Sequence, residues 1–332
     1  QNQLGKGIVV GKDTPNFVGN RIGCYSMSLT MNEMTAANLT PEDVDAITGP
    51  PMGHPKSASF RTADMVGLDT FKHVSDNCYE ALVDDPERDV FKPPHYLVAM
   101  VEQKILGNKT RGGFYKRTKE GIQTFDPVKL EYRAKAGDAD IKKFCKSLKG
   151  SPAARVKALV ENDGPAGKFA WTVLSRTLAY SATMIGEIAD EVEAVDNAMK
   201  WGYNWDLGPF ETWDAIGFRA AYDRMKADGL PMPASVDKMA ESGAESFYTD
   251  DGRAFNLIKG EYEARDIDAR NATLTIMRRG DAPVFSNRGS EAWDLGDGIL
   301  GLTFTTKANS IDDTVVEGIP KAVDIAETDF RG

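Results

Sequence analysis

"FRTADMVGLD" at residues 60–69 and "FETWDAIGFR" at residues 210–219 decide how the chain is organised. Each stretch opens on phenylalanine (Phe60, Phe210), continues to aspartate (Asp64, Asp214) and then to glycine (Gly67, Gly217) at the same spacing. Asp45 precedes Asp64 by nineteen residues, and Asp196 precedes Asp214 by eighteen. A helix, a Gly/Pro-rich loop and a new helix carrying F-x-x-x-D-x-x-G in its first turn therefore occur twice, which reads as an internal duplication. The competing reading is chance likeness between amphipathic helices. Asp64 and Asp214 themselves are expected as acidic groups complementing a helix N-terminus.

Outward from the first stretch, residues 14–38 read as one long helix. Thr14-Pro15 gives a start signal, and Phe17, Val18, Ile22, Tyr25 and Leu29 recur at helical spacing. Thr40-Pro41-Glu42-Asp43 starts a second helix, and "GPPMGHP" (49–55) is a loop. Helices are expected over Phe60–Asp76 and His95–Leu106, then a hairpin from "GGFYKR" (112–117) and "GIQTFD" (121–126). Ala136–Gly164 is weakly patterned and reads as a connector with a short helix at Ile141–Leu148. A second helical block runs from Pro165 to about Ala240 around Phe169, Val173, Leu178, Met184, Ile188 and Val195. Beyond Gly243 the texture becomes strand-like. "SFYTDDGRAF" (246–255) reads as a hairpin with an Asp-Gly turn, followed by "ATLTIMRR" (272–279), "APVFSN" (282–287) and "EAWDLGDGILGLTFTTK" (291–307). A last helix is expected at Val315–Thr328.

Composition bounds the function. The chain has 332 residues and a formal charge of −10, so no basic excess exists to neutralise nucleic-acid phosphates. Cys24, Cys78 and Cys145 form no C-x-x-C pair, which fits a reducing, cytoplasmic setting. His54, His73 and His95 lack metal-ligand spacing, so no metal is expected. No apolar run approaches the ~20 residues of a membrane span. "GDGILG" (296–301) is a literal G-x-G-x-x-G, yet the alternating "LTFTTK" after it reads as a strand. A dinucleotide fingerprint needs a helix there, so the motif reads as a hairpin turn. Glu291, Asp294 and Asp297 read as turn and strand-edge charges.

Three segments carry a family resemblance: "GKGIVVGKDTPNFVGNRI" (5–22), "GPPMGHPKSASFRTADMVGLDT" (49–70) and "GNKTRGGFYKR" (107–117). In that order and spacing they resemble the helical part of 3-hydroxyacyl-CoA dehydrogenases. "VDNAMKWGYNWDLGPFETWDAIG" (195–217) resembles the degenerate second copy of longer bacterial forms. "NRGSEAWDLGDGILGLTFTTKANSIDD" (287–313) resembles the opening of a crotonase-type enoyl-CoA hydratase.

The resemblance implies a mainly α fold: two related helical domains of the dehydrogenase C-terminal type, then a small β-rich tail. Its divisions are 1–13 as the end of an NAD-binding domain, 14–135 as the first helical domain and 136–165 as a connector. Residues 166–262 form the second, degenerate helical domain, and 263–332 the start of a crotonase-like domain. It further implies an NAD-dependent enzyme of fatty-acid beta-oxidation that oxidises 3-hydroxyacyl-CoA, with the parent also an enoyl-CoA hydratase. A Rossmann domain carrying the catalytic histidine would precede Gly5, and the rest of the crotonase domain would follow. NAD would be bound mainly by that preceding domain, leaving this piece inactive alone.

Residue by residue, Asn20 matches the family's substrate-side asparagine, able to hold the substrate's C3 oxygen or thioester carbonyl. Its alternative role is a satisfied helix residue. Lys109 matches a lysine that reaches the nicotinamide side of NAD, and Lys56, with Arg61, is a candidate for an acyl-CoA phosphate. Each has a solvated surface lysine as its alternative. Arg21 reads as structural, an ion-pair or capping residue under the cleft. The spacing of Gly19 and Gly23 suits close helix packing. Ser175-Arg176 stands where Asn20-Arg21 stands, so the second copy reads as scaffold. The pocket beside Asn20 is expected to have its other wall outside this polypeptide. Acyl-CoA is the expected partner, with a homodimer surface available and neither nucleic acid nor membrane involved. The rival reading is a non-catalytic helical module for assembly or acyl-CoA binding. A relative from the wider hydroxyacid dehydrogenase group is opposed by the FRTAD loop and the crotonase-like tail.

Overall fold

The computed structural model describes residues 6–265, 282–306 and 309–332, so "ATLTIMRR" lies outside the described residues. The chain divides into two compact units, Gln1–Glu263 and Ala264–Gly332.

In the first unit, helix α1 spans Gly19–Ala36 and α2 spans Pro41–Ile47. The predicted start at Thr14 is not used. Asn16 and Phe17 take φ of 65° and 49°, left-handed values that cannot be part of a right-handed helix, and Val18 caps α1 without a side-chain bond. Thr40 and Asp43 do form the expected reciprocal capping box on α2. The helix expected over 60–76 breaks into α3 (Phe60–Val66) and α4 (Leu68–Ala81), because Gly67 adopts φ +100°. Helix α5 (His95–Glu102) ends short of Leu106, and strands β1 (Tyr115–Thr118), β2 (Gly121–Asp126) and β3 (Glu131–Ala134) form an antiparallel meander.

The 136–164 stretch is not a plain connector. It folds into α6 (Ala139–Ser147) and α7 (Pro152–Val160), which bury Ile141, Cys145, Val156, Leu159 and Val160 in the core. Ser151 and Asp138 cap them, so these short helices are fixed by caps and a narrow apolar stripe rather than by long periodicity.

The second copy comprises α8 (Pro165–Thr183), α9 (Val192–Tyr203), α10 (Pro209–Ile216), α11 (Phe218–Ala227) and α12 (Ala234–Glu241), then β4 (Arg253–Asn256) and β5 (Glu261–Ala264). Gly217 breaks α10 from α11 at φ +104°, as Gly67 breaks α3 from α4. The aspartates repeat too. Asp64 accepts the amides of Phe114 (2.7 Å) and Tyr115 (2.9 Å); Asp214 accepts those of Phe247 (2.7 Å) and Tyr248 (2.9 Å). Asp45 accepts from the Phe60 amide and the Tyr115 hydroxyl, and Asp196 from the Phe210 amide and the Tyr248 hydroxyl. Asp64 and Asp214 are therefore not charges on a helix dipole. Each is a carboxylate tying a helix to the strand segment that follows.

The copies meet across α1 and α8, which pack together. Tyr25 and Tyr180 stack with ring centroids 3.8 Å apart and planes 8° from parallel. Arg21, four residues before Tyr25, donates to the Tyr180 hydroxyl (2.6 Å) and to Asp85 (2.6 Å) and Glu187 (2.9 Å). Arg176, four residues before Tyr180, reaches Glu87 (2.7 Å), which also accepts from the Tyr25 hydroxyl (3.0 Å). The R-x-x-x-Y pattern thus crosses the axis in both directions, and the opening helix of each copy buries its tyrosine against the other.

The second unit holds β6 (Phe285–Ser286), β7 (Ser290–Asp294) and β8 (Leu300–Phe304) in an antiparallel sheet, with α13 (Asp313–Asp329) packed on β7 and β8. The glycine run at 296–301 turns β7 into β8, and Asp294 accepts the Gly296 amide at 2.7 Å. A strand follows it, so the dinucleotide fingerprint has no structural basis.

Candidate functional site

Asn20, Gly23, Cys24, Met27 and Thr30 fall on one face of α1, a run of about 15 Å at helical rise. They line a cavity of about 510 Å³, within the range of small-ligand sites. Thr62, Ala63, Met65, Val66, Phe71 and Val74 of α3 and α4 form its second wall, and the 48–59 loop its third. Asn20 and Met65 are exposed and mark its mouth, whereas Thr30 is 2% exposed and lies at its closed end.

Gly202, Tyr203 and Trp205, from the end of α9 and beyond, line the same cavity. The second copy therefore supplies one of its walls. Gly23 makes this possible: a Cβ there would sit 2.2 Å from the Tyr203 ring. The Tyr203 hydroxyl donates to Asn20 Oδ1 at 3.0 Å, and burial pushes the pKa of the Cys24 thiol up to about 12.

His54 was not singled out by sequence reasoning, yet it lines the cavity and stacks on Trp205 with centroids 4.1 Å apart. Its Nδ1 pairs with the Thr48 carbonyl at 3.1 Å, so Nδ1 carries the proton. Burial drives the imidazole pKa down to about 4 despite that bond, leaving a neutral ring. The Asp206 amide donates to the Gly53 carbonyl at 2.7 Å, and Arg155 bridges the Pro50 carbonyl and Asp206 (both 2.9 Å). These bonds hold the first copy's loop against the second copy's. The signals for this wall were the aromatic cluster Trp201, Tyr203, Trp205 and the lone histidine of "GPPMGHP".

The other expected residues fall apart from the cavity lining. Arg21 is fully buried beneath it in the Asp85–Glu187–Tyr180 network, as a structural residue. Lys109 sits by Gly67 and is ion-paired with Asp69 on the surface. Lys56 is exposed, and its neighbours Pro55 and Ser57 line the cavity while it does not. Ser175 lies in a separate cavity of about 300 Å³, where Trp171 bonds Asp228 (2.6 Å) and stacks under Arg224.

Chemically, none of the residues lining the larger cavity is an aspartate, glutamate, lysine or arginine. Such a lining suits an apolar chain and repels a phosphate, which would be buried without a counter-charge. Serine and threonine hydroxyls, His54 and Tyr203 also line it, and the Asn20 amide is the polar group at the mouth. Among the described residues the glycine run is a hairpin and the Lys109 ammonium is paired with Asp69. No helix of the described residues is long and apolar enough to cross a membrane.

Residues 17–117 match the family model for the 3-hydroxyacyl-CoA dehydrogenase C-terminal domain. Over 335 residues the chain is 41% identical to the probable 3-hydroxyacyl-CoA dehydrogenase of Bacillus subtilis (strain 168), covering 100% of this chain and 42% of that protein. It is 25% identical over 339 residues to a putative fatty acid oxidation complex trifunctional enzyme of Rickettsia felis, covering 99% of this chain and 42% of that one. The chain thus spans less than half the length of these curated relatives. The crystal structure of 3-hydroxybutyryl-CoA dehydrogenase from Escherichia coli K12 substr. MG1655 superposes with a TM-score of 0.50 at 17% identity, over 73% of this chain and 63% of that one. That likeness concerns the fold alone.

Proposed function

With a dehydrogenase C-terminal domain match across α1 to β1 as the premise, we propose that this chain is the substrate-side part of an NAD-dependent 3-hydroxyacyl-CoA dehydrogenase of cytoplasmic fatty-acid beta-oxidation. The supporting observation is the placement of the Asn20 amide at the mouth of a cavity with no charged lining residue. The acyl chain enters the cavity between α1 and α4, and the CoA phosphates stay outside it. The Asn20 Nδ2 group, a donor, faces the oxygen at C3 or the thioester carbonyl. NAD, bound mainly by a preceding domain, would accept the hydride. The 287–313 stretch, in this reading, opens an enoyl-CoA hydratase domain.

The test compares the full-length parent protein with its Asn20→Ala variant, following NADH formed from 3-hydroxyacyl-CoA. The reading expects turnover in the parent and, with one transition-state donor removed, a fall in kcat of about 100-fold or more. Unchanged kcat in the variant would refute the role of Asn20, and an inactive parent would refute the activity. The alternative is a non-catalytic acyl-CoA-binding module. Tight acyl-CoA binding by this chain alone, insensitive to Asn20→Ala, would support that module instead.

A further inference from the structure

The Asn20 amide carries two chemically opposite ends, and only one of them can serve a substrate oxygen. A carboxamide free to rotate presents its oxygen as readily as its nitrogen. Something must therefore hold the oxygen away from the cavity. On α1 itself nothing among the described bonds does so: the bond to Asn20 Oδ1 comes from Tyr203, 183 residues away in the second copy.

We propose that Tyr203 is a positioning residue for the dehydrogenase reaction, supplied by the second helical copy to fix the orientation of the Asn20 amide. The proposal rests on the functional reading above. Two observations carry it. The Tyr203 hydroxyl donates to Asn20 Oδ1 at 3.0 Å, which leaves both Nδ2 hydrogens for the cavity. The ring is seated against the bare backbone of Gly23, where any Cβ would collide with Cζ at 2.2 Å and Cε1 at 2.3 Å, so the hydroxyl is held directly on α1 beside Asn20. Tyr203 touches no reacting atom, and its whole effect passes through the amide.

The loop after α9 makes the placement rigid. Asn204 ends the helix in the left-handed conformation at φ 54° and ψ 38°. Trp205 then stacks on His54, and the Asp206 amide is bonded to Gly53. Tyr203 is thus held on both sides by contacts to the first copy. The degenerate copy, which lacks an asparagine at Ser175, contributes a phenol to the copy that has one.

The test is a double-mutant cycle in the full-length parent, with Tyr203→Phe, Asn20→Ala and the pair. Tyr203→Phe keeps the ring against Gly23 and removes only the hydroxyl. The expected result is a three- to tenfold fall in kcat, the worth of about one hydrogen bond, with KM for 3-hydroxyacyl-CoA within twofold. In the Asn20→Ala background, Tyr203→Phe is expected to cost nothing further. Full additivity, or an unchanged kcat in Tyr203→Phe, would overturn the positioning role while leaving the Asn20 reading standing. An effect of Tyr203→Phe alongside a silent Asn20→Ala would overturn both roles, as would an inactive parent. A rise in KM with kcat unchanged would place Tyr203 in simple wall contact and refute the proposal.

Discussion

Replacing Asp64 by alanine removes the acceptor of two backbone amides at once, those of Phe114 at 2.7 Å and Tyr115 at 2.9 Å. Asp64 is 4% exposed, and an added Cβ at Gly113 would stand 1.9 Å from its Oδ1, so little room exists there for water to replace the carboxylate. Each buried amide left unpaired costs about 1–3 kcal/mol, so the variant is expected to lose about 2–6 kcal/mol. Asp214→Ala removes the same pair of bonds from Phe247 and Tyr248 and is expected to lose a similar amount. Asparagine keeps one acceptor and turns a donor toward the other amide, at about 1–3 kcal/mol. Urea unfolding followed by tryptophan fluorescence reads these losses as shifts in midpoint at constant slope. A pH series adds an independent arm. Burial, outweighing the amide bonds, raises the Asp64 carboxyl to about 6 and the Asp214 carboxyl to about 7. In the unfolded chain such a group titrates near 4. Between those values the folded state binds more protons, so this contribution to stability is present at low pH and is lost as pH rises toward 6–7. The asparagine variants abolish that slope. A loss below about 1 kcal/mol for alanine in either copy, or a slope unchanged in asparagine, would refute the account of these residues as strand anchors.

Arg21→Ala leaves Asp85, whose side chain is 1% exposed, without its guanidinium, and is expected to cost about 3–5 kcal/mol in urea unfolding. His54→Phe tests the neutral imidazole. Because its folded pKa lies near 4 and its unfolded value near 6.5, stability is lost as pH falls from 6.5 toward 4, by up to about 3 kcal/mol. The variant's stability difference from the parent protein should show that loss removed. Lys109→Met breaks an exposed pair with Asp69, so its effect on unfolding is expected to stay within about 1 kcal/mol. In the full-length protein a raised KM for NAD with KM for acyl-CoA unchanged would assign Lys109 to the cofactor.

The duplication was legible because it left the same residue types at nearly the same spacing, and Asp64, Asp214, Gly67 and Gly217 each do the same work in both copies. The role of the aspartates was not legible, since their partners are backbone amides 33 to 51 residues downstream that carry no sequence signal. Asn20 was found through resemblance, and Arg21 through its position among apolar neighbours. Lys109 came from the resemblance and Lys56 from its place in the 49–70 stretch, and neither lines the cavity. Tyr203, Trp205 and His54 stayed hidden because their significance lies in a contact between copies. A helix of nine residues such as α7 escapes period-based reading, as it has room for only three buried positions.

The stacked tyrosines across α1 and α8 carry a consequence of another kind. Contacts of this sort in a pair of separate chains must be self-complementary, and they come apart on dilution. Joined by a covalent tether, the partners stay at an effective concentration near millimolar whatever the amount of protein. Identity between the halves is no longer demanded either: Arg21 keeps Asp85 and Glu187 while Arg176 keeps Glu33 and Glu87. Freed from symmetry, each half can drift toward a separate task without risk of losing its companion.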